Sequence, residues 1–178
     1  GAWLVRRFED GRAVGMRAVS AADPVNSELS PLMKERPVLT ENGWFSVPVL
    51  RPGKVYIFGG GHVSQALVPV LAAVGFRPVV YDDRPEFADP ALFPAAVGTL
   101  CGPFTVLSEQ ITVTADDYVV IMTRGHQADY EVLTQTLRSG AKYLGCIGSK
   151  KKLALCRERL LAAGFTAEEY ARVHAPIG

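Results

Sequence analysis

Four clusters of residues carry the chemistry legible in this sequence. Gly59-Gly60-Gly61-His62-Val63-Ser64 fits Gly-x-Gly-x-x-Gly with Ser64 in place of the third glycine. Glycines let backbone N–H groups approach an anion closely, and a helix N-terminus adds positive potential. Asp82 follows 23 positions after Gly59, where a carboxylate accepts hydrogen bonds from a ribose diol. The adjoining Asp83 and Arg84 pull in opposite directions, since an acid repels a 2′-phosphate and an arginine attracts one. The alternatives are structural: a tight strand-to-helix turn for the glycines, a loop cap for Asp83 and Arg84.

The third cluster is Thr123-Arg124-Gly125-His126. Arg124 offers a planar fork to a phosphate, and His126 exchanges a proton near neutral pH. The alternatives are a salt bridge from Arg124 to a neighbouring acid and a helix-capping role for His126. The fourth is Gly148-Ser149-Lys150-Lys151-Lys152. Gly148 gives backbone freedom, Ser149 suits an N-cap, and Lys152 with its neighbours crowds cations where they oppose the helix dipole. A bound anion would offset that cost; a solvated basic face is the alternative. His62, His126 and His174 lack metal-ligand spacing. Cys146 reads as an inert buried thiol and Cys101, in a loop, as the more reactive one.

The elements that position these clusters follow from periodicity. From Lys54 onward, short apolar runs alternate with helical spacing. Strands are expected at 55–58, 78–81, 97–100, 118–122 and 143–147. Helices are expected at 62–74 (with a kink at Pro69), 129–137, 149–163 and 167–173, and residues 84–95 are expected as a loop. Strands alternating with helices imply a doubly wound, Rossmann-like parallel sheet of the α/β class, with residues 54–178 as its domain. The strand ending at Phe58 is expected to be central. Ligands then sit beyond the carboxyl ends of the strands, at 59–64, 82–84, 123–126 and 148–152. Residues 1–53 read differently, as a small β-rich appendage. Asp10-Gly11 signals a hairpin between 3–8 and 12–19, residues 20–43 are rich in turn formers with Pro24, Pro31 and Pro37, and a strand follows at 44–50. Arg51-Pro52-Gly53 reads as the boundary.

Composition narrows the function classes. The 178 residues are 48% hydrophobic and 21% charged, which excludes disorder for most of the chain. Nineteen basic against eighteen acidic residues argue against a nucleic-acid binder. Three cysteines without CxxC spacing suggest neither a disulfide framework nor structural zinc, and a reducing cytoplasmic compartment is the default. No signal peptide is read at the start. The longest apolar run, 66–76, is too short to span a membrane.

The clusters taken together resemble the XdhC/CoxI family, accessory proteins of xanthine dehydrogenase and related molybdenum hydroxylases. The resemblance rests on 57–63, Tyr81-Asp82-Asp83-Arg84-Pro85-Glu86, Met122-Thr123-Arg124-Gly125-His126, 145–152 and His174-Ala175-Pro176-Ile177-Gly178, in that order. It covers residues 54–178, the family's Rossmann domain. It implies a non-catalytic chaperone that binds the molybdenum cofactor (molybdopterin), supports its sulfuration beside a cysteine desulfurase, and delivers it to an apo-molybdenum hydroxylase. A homodimer is expected. Residues 1–53 lack the Ser-Pro-Arg and glycine-rich motif of full-length members, and the family usually continues past the equivalent of Gly178. The expectation is a fragment or a short paralogue acting beside a separate partner. The same crevice suits a nicotinamide dinucleotide, so an NAD(P)-dependent oxidoreductase is the alternative, and a nucleotide-binding regulatory module is a third reading.

Overall fold

The structure, a computed structural model, describes residues 1–22, 29–49 and 53–177. Two compact units divide the chain, Gly1–Arg51 and Pro52–Gly178. Pro24, Leu50, Arg51, Pro52 and Gly178, which enter the expectations above, lie outside the described residues.

The first unit is an antiparallel sheet in the order β2-β1-β4-β3. Its strands are β1 (Ala2–Glu9), β2 (Arg12–Ser20), β3 (Val38–Leu39) and β4 (Trp44–Pro48). The β1–β2 turn is the one the sequence predicts: Asp10 and Gly11 both take positive φ, at 49° and 73°, as a two-residue type I′ hairpin requires. Within the turn-rich stretch, Ser30–Leu32 forms a 3-10 turn. Its buried Leu32 joins Val5, Val19 and Leu29 in a small core.

The second unit is a six-stranded parallel sheet in the order β10-β9-β8-β5-β6-β7. The strands are β5 (Lys54–Phe58), β6 (Arg77–Asp82), β7 (Gly98–Cys101), β8 (Tyr118–Ile121), β9 (Tyr143–Cys146) and β10 (Val173–His174). This is the strand order of the dinucleotide-binding Rossmann fold. β5 is central, and the chain reverses direction across the sheet between β5 and β8. Both faces are covered, so the strands are apolar at successive positions. Val55 and Ile57 face Val68 of α1 (His62–Ala73). Tyr56 and Phe58 face the other side, with Val132 and Leu133 of α2 (His126–Thr136) and Leu153, Cys156 and Leu160 of α3 (Lys150–Ala162).

Three local expectations need correction. α2 begins at His126, three residues before the predicted start, because Gly125 serves as an extended N-cap and His-Gln-Ala-Asp shows no apolar period. Residues 84–95 are not plain loop: Pro85–Phe87 and Pro90–Leu92 are 3-10 turns, each opened by a proline with φ already fixed. The last helix, α4, covers only Ala167–Ala171. Val173 leaves it to be buried at the sheet edge, pairing with Leu144 of β9. α1 runs through Pro69 as one helix.

Candidate functional site

Parallel pairing brings the predicted clusters to one level. Phe58 pairs with Tyr81 on one side and Ile121 on the other, so the loops after β5, β6 and β8 leave the sheet together. The loop after β9 follows next to β8. All four clusters therefore lie along the carboxyl edge, with the reversal point between the glycine loop and the Thr-Arg-Gly-His loop.

The glycine loop is held from both sides. Gly59 has φ +106°, and a Cβ there would stand 2.4 Å from the Met122 carbonyl oxygen. A Cβ on Gly60 would stand 1.9 Å from the Phe87 carbonyl oxygen. These two glycines are thus required by protein backbone passing close by, as the tight-turn alternative has it. Gly61 differs, since nothing lies within 4 Å of a Cβ placed on it. The Ser64 hydroxyl, at the third-glycine position, donates to the Gly59 carbonyl and is buried. His62 is exposed at the first position of α1.

Asp82 is 1% exposed, and its carboxylate accepts four hydrogen bonds. Oδ1 takes the Arg84 backbone N–H at 3.0 Å and Nε at 2.9 Å; Oδ2 takes the Gly60 N–H at 2.7 Å and Arg84 Nη2 at 3.1 Å. Four bonds fill the acceptor sites of a carboxylate. Burial alone pushes Asp82 up, but the Arg84 and Gly60 donors outweigh it and hold it below the ordinary aspartate value. In this arrangement Asp82 has no lone pair left for a ribose hydroxyl, and its role is to clamp the glycine loop. Arg84 is occupied too, paired with Asp82 and stacked 3.7 Å over the Phe87 ring.

Asp83 points the other way. Its Oδ2 lies 3.1 Å from Arg124 Nη2, joining the loops after β6 and β8. Arg124 therefore makes the salt bridge of its alternative reading, yet its side chain is 60% exposed. Both residues line a cleft of about 530 Å³ with Gly102–Thr105, Gln127 and Glu131.

Thr123 donates its hydroxyl to Asp129, buried in the first turn of α2. Asp129 was legible only as a helix start. Burial pushes its carboxyl up, and the Thr123 hydroxyl and the Lys152 and His126 charges offset this only in part. His126 and Lys152 line a second cleft, of about 400 Å³, with Ser149. Ser149 caps α3, its Oγ accepting the Lys152 N–H at 3.4 Å. Gly148 gives the turn from β9 into this cap. By contrast, α1 and α2 start from Gly61 and Gly125, which have no capping side chain. Their first-turn N–H groups lack the partner that Ser149 supplies to α3.

Cys146 and Cys156 are buried and Cys101 is exposed. Burial first and the Asp129 charge second raise both buried thiols, Cys156 to about 11. Among the described residues no three His, Cys, Asp or Glu side chains gather as a metal site, and no helix is long and apolar enough to cross a membrane.

The family profile described as the XdhC Rossmann domain matches residues 55–178. The chain belongs to the XdhC family. Among curated relatives, the uncharacterized protein YqeB of Escherichia coli is 30% identical over 165 residues, covering 92% of this chain and 28% of YqeB. The molybdenum cofactor insertion chaperone PaoD of the same organism is 25% identical, covering 98% of this chain and 47% of PaoD. This XdhC-family chain thus spans less than half the length of these relatives. A crystal structure from Bacillus halodurans described as a xanthine dehydrogenase shares the fold, with a TM-score of 0.73 at 23% identity, over 99% of this chain and 52% of the other.

Sequence reasoning missed Phe87, which backs the glycine loop, and the wall at 102–105. Gly102-Pro103 after a weak strand was the available signal for the second.

Proposed function

We propose that this chain is a molybdenum cofactor-binding accessory module serving a xanthine dehydrogenase-type hydroxylase. Family membership sets the class, and the naming of a relative as a molybdenum cofactor insertion chaperone supports the finer reading. The observation that carries it is the pair of uncapped helix starts, at Gly61 and Gly125, on either side of the reversal point with Arg124 beside them. Open space stands where a Cβ on either glycine would project.

These residues fit the phosphate end of molybdopterin or the pyrophosphate of its dinucleotide form. Backbone N–H groups and helix potential attract the anion. Arg124 supplies a planar fork, while Lys152 adds positive charge and His126 an exposed imidazole along the same edge. The molybdenum chemistry belongs to the recipient enzyme; this chain's residues hold and orient. The partners such a role requires are an apo-hydroxylase and, for sulfuration, a cysteine desulfurase.

The test is cofactor affinity. A charge-assisted contact is worth about 1.5–3 kcal/mol, so Arg124→Ala is expected to weaken molybdenum cofactor binding by roughly 10- to 150-fold at fixed salt. Arg124→Lys is expected to recover part of the loss, since a point charge lacks the fork. Unchanged affinity in Arg124→Ala, or robust hydride transfer with NAD(P) by the wild type, would overturn the reading.

A further inference from the structure

The Asp83–Arg124 pair has a feature that a simple surface salt bridge lacks. Among the described residues, Asp83 Oδ1 is the one buried side-chain oxygen without a hydrogen-bond partner. Arg84 Nε is the near cation, at 3.6 Å, but its hydrogen goes to Asp82. The other oxygen, Oδ2, is held by Arg124 at 3.1 Å. A buried carboxylate oxygen left without a donor is costly, and such groups need an explanation. Arg124, in turn, is the exposed partner and faces the open cleft.

We propose that Asp83 is a specificity-determining residue of this crevice: it holds Arg124 until a ligand supplies both an anion for the guanidinium and a hydrogen-bond donor for the carboxylate. The inference rests on the phosphate-binding reading of Arg124 given above. An anion arriving at the α1 and α2 starts competes for the same fork that Asp83 occupies. A bare phosphate or pyrophosphate takes Arg124 and leaves Asp83 as an unpaired acid beside new negative charge. A phosphate ester whose alcohol portion carries a hydroxyl gives Asp83 a donor in exchange. The residue therefore disfavours inorganic anions and favours nucleotide-like esters.

The experiment measures the affinity of pyrophosphate and of ADP by titration calorimetry, both without divalent metal at fixed ionic strength. Asp83→Ala is expected to tighten pyrophosphate by about 3-fold, the scale of an exposed ion pair. The same change is expected to loosen ADP by about 3- to 10-fold, the scale of a hydrogen bond to a charged acceptor that is partly offset by the released Arg124. Asp83→Asn, which keeps the shape, is expected to tighten pyrophosphate likewise and serves if the alanine variant folds poorly. Glu109→Gln controls for the loss of one negative charge, because Glu109 is exposed and lines neither cleft, and is expected to leave both affinities within about 1.5-fold. In an Arg124→Ala background, Asp83→Ala is expected to lose its effect on pyrophosphate, as coupled residues do.

Shifts of the same sign for both probes would overturn the proposal, as would an equal effect from Glu109→Gln. Pyrophosphate binding that depends on Arg124 but not on Asp83 would overturn this inference alone. Binding of neither probe by any variant, or pyrophosphate binding indifferent to Arg124→Ala, would overturn the underlying reading as well.

Discussion

The loops after β5 and β6 and the loops after β8 and β9 occupy one sheet edge, yet they use their polar groups in opposite ways. On the first side Asp82, Arg84 and the Gly60 N–H satisfy one another, the Ser64 hydroxyl donates to the Gly59 carbonyl, and Gly59 and Gly60 admit neighbouring backbone. On the second side Arg124, His126 and Lys152 are exposed, and α2 starts without a side-chain cap. The contrast teaches that a glycine fingerprint is first a packing device. Of its glycines, Gly61 alone opens onto free space; the cations available to a ligand come from the loops after the other two strands.

The sharpest way to break this comparison is to add a single carbon. Gly60→Ala is expected to cost about 3 kcal/mol of stability, because the Phe87 carbonyl would sit 1.9 Å from the new Cβ and main chain cannot swing aside as a side chain can. Gly61→Ala is expected to stay within about 1 kcal/mol, while weakening pyrophosphate binding. Urea unfolding of both variants checks the first half, and calorimetry the second. Equal stability losses would show that the two glycines are not divided in role.

A smaller effect is expected at the clamp. Asp82→Asn places an amide where four donors converge, and a cost of about 2 kcal/mol is expected at neutral pH. The sign with pH follows from the depressed value of Asp82. Its contribution is fully present above the unfolded value of about 3.9 and is lost as pH falls through the lower folded value. The gap between wild type and Asp82→Asn in urea midpoints is therefore expected to narrow below about pH 4. A constant gap down to about pH 2 would count against a charged clamp.

Much of the architecture was legible because both faces of the parallel sheet are buried. Val55 to Phe58 and Tyr118 to Ile121 stand out as apolar runs, and the first ends at three glycines. Boundaries failed where tertiary contacts decide. Val173 continues a helical pattern in sequence but is claimed by the edge of β9, and His126 opens a helix whose first turn has no apolar stripe. The four loop clusters were legible as types at strand ends, and the structure brings them to one edge. Their hydrogen-bond assignments were not legible. Nothing local in Tyr-Asp-Asp-Arg tells which acid faces inward. That depends on the pleat of β6, which turns Asp82 toward Gly60 and leaves Asp83 to meet Arg124.

The smallest expected effect distinguishes the two buried acids of this edge. Asp129 is 6% exposed, and burial raises it, whereas Asp82 is lowered. An acid raised in the folded state binds its proton more tightly there than in the unfolded chain. Its ionisation therefore opposes folding, and stability is lost as pH rises from about 3.9 through the folded value. Asp129→Asn mimics the uncharged form and lacks this component. At neutral pH the variant is expected within about 1 kcal/mol of wild type, since relief from burying a charge offsets the weaker bond from the Thr123 hydroxyl. The informative quantity is the slope. Between about pH 4 and 7, wild-type stability is expected to fall relative to that of Asp129→Asn, opposite in sign to the Asp82 comparison. Urea midpoints at half-unit pH steps measure it. Parallel profiles would mean that the open half of the edge solvates Asp129 as freely as water does, and the division between a closed half and an open half would then rest on the glycine loop alone.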